Sequence, residues 1–172
     1  FWFFFLRILR PPVSTQSRSS AASDVYKRQA LMFRGGSDAP LCGHEVLVEA
    51  GAEASDNELV VDAMKTRLRP HTTQGDVVLP SGKQETPVNL VAHFMRYLLD
   101  EVRGSEPFRG NPDLDARYVL TLPVMPQRED FLSQRDSTLR AAAMAGLRVG
   151  DDVLTPSEPE CAPLDIMHSL RR

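Results

Sequence analysis

The stretch that decides the fold class is "RYVLTLPVMPQREDFLSQRDSTLRAAAMAGLRVGDDVL", Arg117–Leu154. Its first part, Tyr118–Leu122, is a run of five strand-compatible residues without a polar face, a pattern typical of a central strand covered on both sides. The segment that follows predicts a helix ending at Gly146. The apolar and small residues expected on its buried face are Phe131, Leu132, Leu139, Ala142 and Ala143.

Beyond this helix, "VLTPSEPECAPL" predicts a strand edge that turns at Pro156 into a Glu-Pro corner. A strand, a helix and a second strand in this order predict a parallel strand pair joined by a right-handed crossover. The fold class expected from this pattern is α/β, a mixed sheet with packed helices.

Upstream lies the most clearly delimited element of the chain. Thr86 is suited to cap a helix, Pro87 to begin it and Gly104 to end it. The residues between them predict an amphipathic helix of about four turns packed on a sheet, with His93 on its solvent side. Its apolar stripe comprises Val88, Leu90, Val91, Phe94, Met95, Leu98, Leu99 and Val102.

Shorter elements precede this helix. "HEVLVEAG" (His44–Gly51) predicts a strand because Val46 and Val48 alternate, and a second strand is expected at Val77–Leu79 before a Pro-Ser-Gly turn. Glu58–Pro70 predicts a short helix or an irregular segment stopped by its proline. Ala30–Pro40, which contains the "RGGS" stretch, is predicted to be a loop.

Residues 1–29 predict no packed structure. "SSAASDVYKRQ" (Ser19–Gln29) reads as the translation of a transposase adaptor used for sequencing libraries, and "RPPVST" (Arg10–Thr15) resembles the outer adaptor. We therefore expect residues 1–29 to be non-native and disordered, and leave them out of the fold prediction. The apolar "FWFFFLRIL" falls far short of the roughly 20 residues that a membrane-spanning helix needs.

Composition excludes several classes of partner. Residues 1–29 hold five of the 20 basic and one of the 23 acidic residues, so the remaining 143 residues carry a net charge near −7. This charge argues against binding to nucleic acid or to an anionic membrane. Cys42 and Cys161 form no zinc or disulfide pattern, and the four histidines show no metal-ligand spacing. Reduced thiols and the lack of a targeting segment predict the cytoplasm.

The ordered set of motifs resembles the heat shock protein 70 family, in its divergent branch. The matching segments are "VDAMKTRL", "VVLPSGK", "VNLVAHFMRYLLDEV", "YVLTLPV", "QRDSTLRAAAMAGL" and "SEPECA", within Val46–Ala162. The resemblance implies part of an actin-like ATPase (ribonuclease H-like) domain. Residues 30–116 would belong to the outer and residues 117–172 to the inner subdomain of its first lobe. The implied ligands of the intact parent are ATP and Mg, and its partners are nucleotide and client proteins.

The same resemblance assigns the site residues. Glu158 matches the family's glutamate that positions the metal and its waters, and Ser157 and Pro159 would form the nucleotide-side corner that aims it. No metal ligand is assigned. The alternative is that Glu158 and Pro159 merely form a turn.

The chain also departs from the family. The Asp-x-Gly-x-Thr and Asp-x-Gly-Gly-Gly-Thr phosphate hairpins are missing, and no lysine occurs between Ala30 and Met64, where the family has a catalytic one. Glu53 or Ser55 stands in its place, and Lys65 matches it in charge but not in position. We therefore expect a truncated, inactive piece of an ATP-binding protein.

Two other parents fit the pattern. One is a pseudo-ATPase interaction module, and the other is another actin-like enzyme such as a sugar kinase. A serine hydrolase does not fit, because the sequence has no Gly-x-Ser-x-Gly motif.

Overall fold

A computed structural model describes residues 7–9, 30–43, 45–46, 57–62, 64–70, 75–104, 109, 117–150 and 153–157. The elements whose bounds lie within the described residues are short strands and helices of four to 18 residues. In chain order they are β1 (Arg7–Leu9), β2 (Leu31–Arg34), β3 (Leu41–Cys42), β4 (Glu58–Val61), α1 (Met64–Arg67), β5 (Val77–Val78), β6 (Gln84–Glu85), α2 (Pro87–Gly104), β7 (Arg117–Val119), α3 (Arg128–Met144) and β8 (Val153–Leu154). This mixture of strands and helices confirms the α/β class expected from the sequence.

The strand at the centre of the first sheet is β7, in the order β1-β7-β8. It pairs in parallel with β8, with Tyr118 opposite Val153, and α3 connects the two strands. Leu120 and Leu122, which continue the line of β7, are 2% and 1% exposed. The predicted parallel strand–helix–strand unit and its buried central strand are both confirmed.

The other side of β7 is covered by β1, which lies inside the segment predicted to be non-native. The two strands are antiparallel, with Ile8 opposite Tyr118. Arg7–Leu9 pair here because β7 offers an edge with which an extended backbone of almost any sequence can pair. Disorder of the segment as a whole stays a prediction. The origin of residues 1–29 in adaptor DNA stays a prediction.

The second sheet has the order β3-β2-β4, with both neighbours antiparallel to β2. The predicted loop over Ala30–Pro40 is wrong at Leu31–Arg34, where the first three side chains of β2 are buried. The turn at Gly35 and Gly36 follows this strand, as expected of "RGGS".

Two further predictions of secondary structure need correction. Glu45 and Val46 are helical rather than extended, because the chain turns at Gly43 (φ +66°) and Val46 packs beside Met32. The rest of His44–Gly51 lies outside the described residues. The segment 58–70 divides into strand β4, whose four residues all pair with β2, and the short helix α1.

Helix α2 begins and ends where the sequence predicts. The Thr86 side chain accepts a hydrogen bond from the Asn89 backbone N–H at 3.3 Å, which caps the helix. Its buried residues are Leu90, Val91, Ala92, Phe94, Met95 and Leu99, close to the predicted stripe. His93 is not on the solvent side, because its half-buried ring packs edge-on against Phe33, with ring centroids 6.0 Å apart.

Helix α3 buries only part of the predicted face, since Ala142 is buried and Leu139 packs against the main core. Its buried residues are Gln134, Thr138, Ala141 and Ala142, whereas Leu132 is 42% exposed and Ala143 is exposed. These four positions follow the i, i+4, i+7, i+8 spacing of one helix face. This face, which includes the polar Gln134 and Thr138, packs against the rest of the fold, whereas Leu132 faces away from it. The predicted end at Gly146 is confirmed by its φ of +97°.

One main core joins both halves of the described chain. It contains Leu31 and Phe33 of β2, the buried face of α2, Leu120 next to β7, and Ala141 and Ala142 of α3. The division at residue 116 into two subdomains stays a prediction.

Candidate functional site

The carboxyl ends of β7 and β8 form the edge at which the resemblance puts the site. The Leu120 backbone N–H donates to Leu154 O at 2.9 Å, and the Leu122 N–H donates to Pro156 O at 3.0 Å. A parallel bridge then joins Leu122 to Ser157. Ligands of open α/β sheets bind outside the carboxyl ends of parallel strands, so this edge is the candidate site.

Of the three predicted site residues, the structure describes one. Ser157 is half-buried and lies beside Leu122 at the carboxyl edge. Glu158 and Pro159 lie outside the described residues. The bridge at Ser157 means that both would follow directly from the last paired position of the sheet.

Arg135 on α3 reaches the same strand end. Its Nε donates a hydrogen bond to Thr155 Oγ1 at 3.1 Å, and Thr155 lies two residues before Ser157. The side-chain contact therefore ties α3 to the segment that leads into the predicted corner. Sequence reasoning missed this pair, since the arginine and the threonine are 20 residues apart.

Gln134, next to Arg135, is a second residue that the sequence prediction missed. The residue is 2% exposed, and among the described atoms its Oε1 has no hydrogen-bond partner. The nearby Thr138 Oγ1 does not pair with this side-chain oxygen, because it donates instead to the backbone oxygen of Gln134 at 2.8 Å. An unpaired buried acceptor costs about 1–3 kcal/mol of stability. The spacing of Gln134, Thr138 and Ala141 was the available signal for this face.

The donor groups on the described residues do not fit Mg-ATP by themselves. Within the ranges that the structure describes, no group of three His, Cys, Asp or Glu side chains is placed to hold a metal ion. The Cys42 thiol is unsuited to nucleophilic chemistry, because burial and then the charge of Glu45 raise its pKa to about 12.

Compared with protein-family models and with curated proteins, the chain matches none. Among the described helices, none is both long enough and apolar enough to cross a membrane.

Proposed function

We propose that this chain is a piece of a nucleotide-binding domain similar to that of the heat shock protein 70 family, and that it carries part of the first lobe of an actin-like ATPase. The observation that supports the proposal most is the parallel bridge between Leu122 and Ser157. Ser157, the residue before Glu158, lies at the carboxyl edge of the β7–β8 pair, and nucleotide sites of α/β folds lie at such edges.

In this proposal the parent binds ATP with Mg and couples nucleotide state to closure of its two lobes. Glu158 would orient the metal-bound waters, and Ser157 and Pro159 would hold the corner. The chain as given does not hydrolyse ATP, because it lacks both glycine-containing phosphate hairpins. The parent would act in the cytoplasm on client or partner proteins.

A pseudo-ATPase interaction module is the second candidate. The observation that favours it is the absence of lysine between Ala30 and Met64. Such a parent would bind nucleotide and change shape without hydrolysing it.

Long-read sequencing of the source DNA is the first test. We expect residues 1–29 to be replaced by sequence with an Asp-x-Gly-x-Thr hairpin, and an Asp-x-Gly-Gly-x-Thr hairpin to follow Ala162. A frame that truly starts at Phe1 and stops at Arg172 would refute the proposal. A peptide-binding β-domain further downstream would be specific to the chaperone type of parent.

The extended protein then allows a functional test. Binding of a fluorescent ATP analogue and phosphate release are measured for the parent, for Glu158→Gln and for the matched control Glu160→Gln. We expect Glu158→Gln alone to lower hydrolysis by about 100-fold while nucleotide still binds. Binding without hydrolysis by the unsubstituted parent would favour the pseudo-ATPase. No nucleotide binding by any of the proteins would contradict both candidates.

A further inference from the structure

The β5–β6 hairpin (residues 77–85) forms a sheet of its own, separate from the two three-stranded sheets. Each strand has two residues, and the turn is closed by hydrogen bonds from Leu79 N–H to Lys83 O and from Gly82 N–H to Leu79 O, both 2.8 Å long. An isolated two-stranded hairpin is at best marginally stable in water. Its position therefore depends on how it is attached to the rest of the fold.

The apolar attachment of this hairpin is small. Leu79 is 2% exposed and belongs to the main core, and the half-buried Val77 packs against it. Val78, in contrast, is 60% exposed, and the turn residues Ser81 and Gly82 are exposed. One buried leucine does not outweigh the entropy of ordering about nine residues.

The second attachment is a buried charge. The residue Glu85 is 2% exposed, and both of its carboxylate oxygens are paired. Lys83 Nζ lies 2.8 Å from Oε1, and Asn89 Nδ2 on α2 donates to Oε2 at 2.6 Å. We call Lys83, Glu85 and Asn89 the Glu85 latch, because the carboxylate joins the hairpin to the first turn of α2.

Further charged groups surround the latch. Asp38, in the turn between β2 and β3, lies 3.8 Å from Lys83 Nζ and accepts a hydrogen bond from Ser81 Oγ at 2.7 Å. From α2, His93 lies close enough to interact electrostatically with Glu85. The carboxylate thus keeps Lys83 when the hairpin moves as a unit, but loses the Asn89 donor and the nearby His93 on α2. The contacts of Asp38 with Ser81 and Lys83 hold the hairpin to the β2–β3 turn independently of Glu85.

We propose that the β5–β6 hairpin is a flap that the ionised Glu85 side chain holds onto α2, and that it opens as a unit when this charge is removed while the rest of the fold stays closed. The physical basis is the asymmetry of buried ion pairs. Only Glu85 of the pair is buried, whereas the Lys83 side chain is 52% exposed. A neutral side chain at position 85 removes an acceptor that Asn89 Nδ2 and Lys83 Nζ share at the base of the hairpin, whereas replacing both charged partners by apolar groups is often neutral. Segments with few apolar contacts are the ones that open locally.

Hydrogen exchange of the full chain, followed by mass spectrometry at neutral pH, tests this proposal. In Glu85→Gln the amide oxygen can accept from only one of the two donors, Lys83 Nζ or Asn89 Nδ2, and the amide nitrogen would face the other. We expect the Leu79 and Gly82 amides to exchange about tenfold faster or more, with no change at Ala145 and Leu147 beyond the end of α3. The matched control is Glu58→Gln, which removes the carboxylate charge of the exposed Arg34–Glu58 pair between β2 and β4 and should leave the hairpin unaffected.

A double variant separates a charge-dependent latch from a simple packing defect. In Lys83→Met/Glu85→Leu both charges are replaced by apolar side chains, and the half-buried Asn89 amide can turn to water. We expect the hairpin amides of this double variant to exchange as slowly as those of the wild type. Lys83→Met alone, a change at an exposed side chain, should open the hairpin partly. Unchanged exchange in Glu85→Gln, or equally faster exchange in every element, would overturn the proposal.

Discussion

Arg96 Nη2, on the exposed side of α2, donates a hydrogen bond to the backbone oxygen of Met144 at 2.7 Å. Met144 is the last residue of α3, and the final turn of that helix has no basic residue of its own. The last carbonyls of a helix are unsatisfied and carry partial negative charge. Arg96 thus supplies from the neighbouring helix the cation that α3 lacks.

Removing this contact should destabilise the protein measurably. For Arg96→Met we expect a loss of about 0.5–1.5 kcal/mol in the free energy of unfolding, the lower end reflecting the exposure of the side chain. Urea denaturation followed by circular dichroism measures it. The control is Arg103→Met, whose exposed contact with Asp100 at 3.8 Å is expected to contribute almost nothing. Equal losses in the two variants would contradict the capping role.

Gly146 closes α3 in a backbone conformation that other residues rarely adopt. Its φ is +97°, and the N–H groups of Gly146 and Leu147 donate to Ala143 O and Ala142 O, both at 3.0 Å. Gly146→Ala should therefore cost about 1–2 kcal/mol of stability, measured by thermal unfolding. The matched control is Gly104→Ala at the end of α2, where an added methyl group meets nothing within 4 Å. A neutral Gly146→Ala would show that the turn adjusts freely.

His93 should make stability depend on pH below neutrality. Burial lowers its pKa from 6.5; the charge of Glu85 opposes this shift, and those of Arg96 and Lys83 add to it. The unfolded chain therefore takes up this proton at a higher pH than the folded one. The stabilisation from neutral His93 is full above the unfolded pKa of 6.5 and is lost as the pH falls through the folded pKa.

The variant His93→Phe tests that dependence, since phenylalanine keeps a ring against Phe33 and does not titrate. Between about pH 8 and about pH 5, its unfolding free energy should fall less than that of the wild type. Glu85 does not interfere in this range. Burial raises its pKa, but hydrogen bonds from Lys83 and Asn89 and the charges of Lys83 and His93 lower it more, to a net value below 4.5. Identical pH profiles would exclude His93 as the titrating group.

Cys42 should be nearly inert towards thiol reagents while the protein is folded. Its side chain is buried, and a pKa of about 12 instead of 9.0 lowers the thiolate fraction at about pH 8 by about a thousandfold. The measurement is the rate at which a disulfide reagent labels Cys42 in the Cys161→Ser variant. The rate for the native protein is compared with the rate for the protein unfolded in urea. Equal rates in the two states would mean that the loop carrying Cys42 opens readily.

The pairing of β1 with β7 predicts what happens when β1 is displaced. The backbone N–H groups of Leu120 and Leu122 donate to residues on the β8 side. Because successive residues of a strand point their backbone groups to opposite sides, the N–H and C=O of Val119 point towards β1. Deletion of residues 1–29, or Ile8→Pro in the full chain, uncovers these groups beside buried apolar residues. We expect concentration-dependent self-association in light scattering. A monomer of residues 30–172 with one cooperative melting transition would contradict this expectation.

The features that the sequence predicts well are those with local causes. Thr86, Pro87 and Gly104 mark both ends of α2 through capping chemistry, and the five residues of Tyr118–Leu122 show a central strand by lacking a polar face. At the candidate site, the parallel pairing that puts Ser157 beside Leu122 follows from the order of elements.

The features that the sequence does not predict depend on contacts between distant segments. Strand β2 was missed because its four residues are too few to show a period and precede two glycines. The burial of Gln134 instead of Leu132 depends on which face of α3 meets the core. The burial of Glu85 requires the hairpin to fold onto α2, which no local pattern records.

The pairing of Arg7–Leu9 with β7 also bears on how much sequence change a sheet edge tolerates in its partner strand. A sheet edge recognises extended backbone more than side-chain identity, so peptides without any selective history can join it. The strand that pairs with β7 is therefore held by its backbone, and many different sequences at these three positions would fit the same edge. An edge of this kind therefore tolerates sequence change in its partner strand far better than a buried core position does.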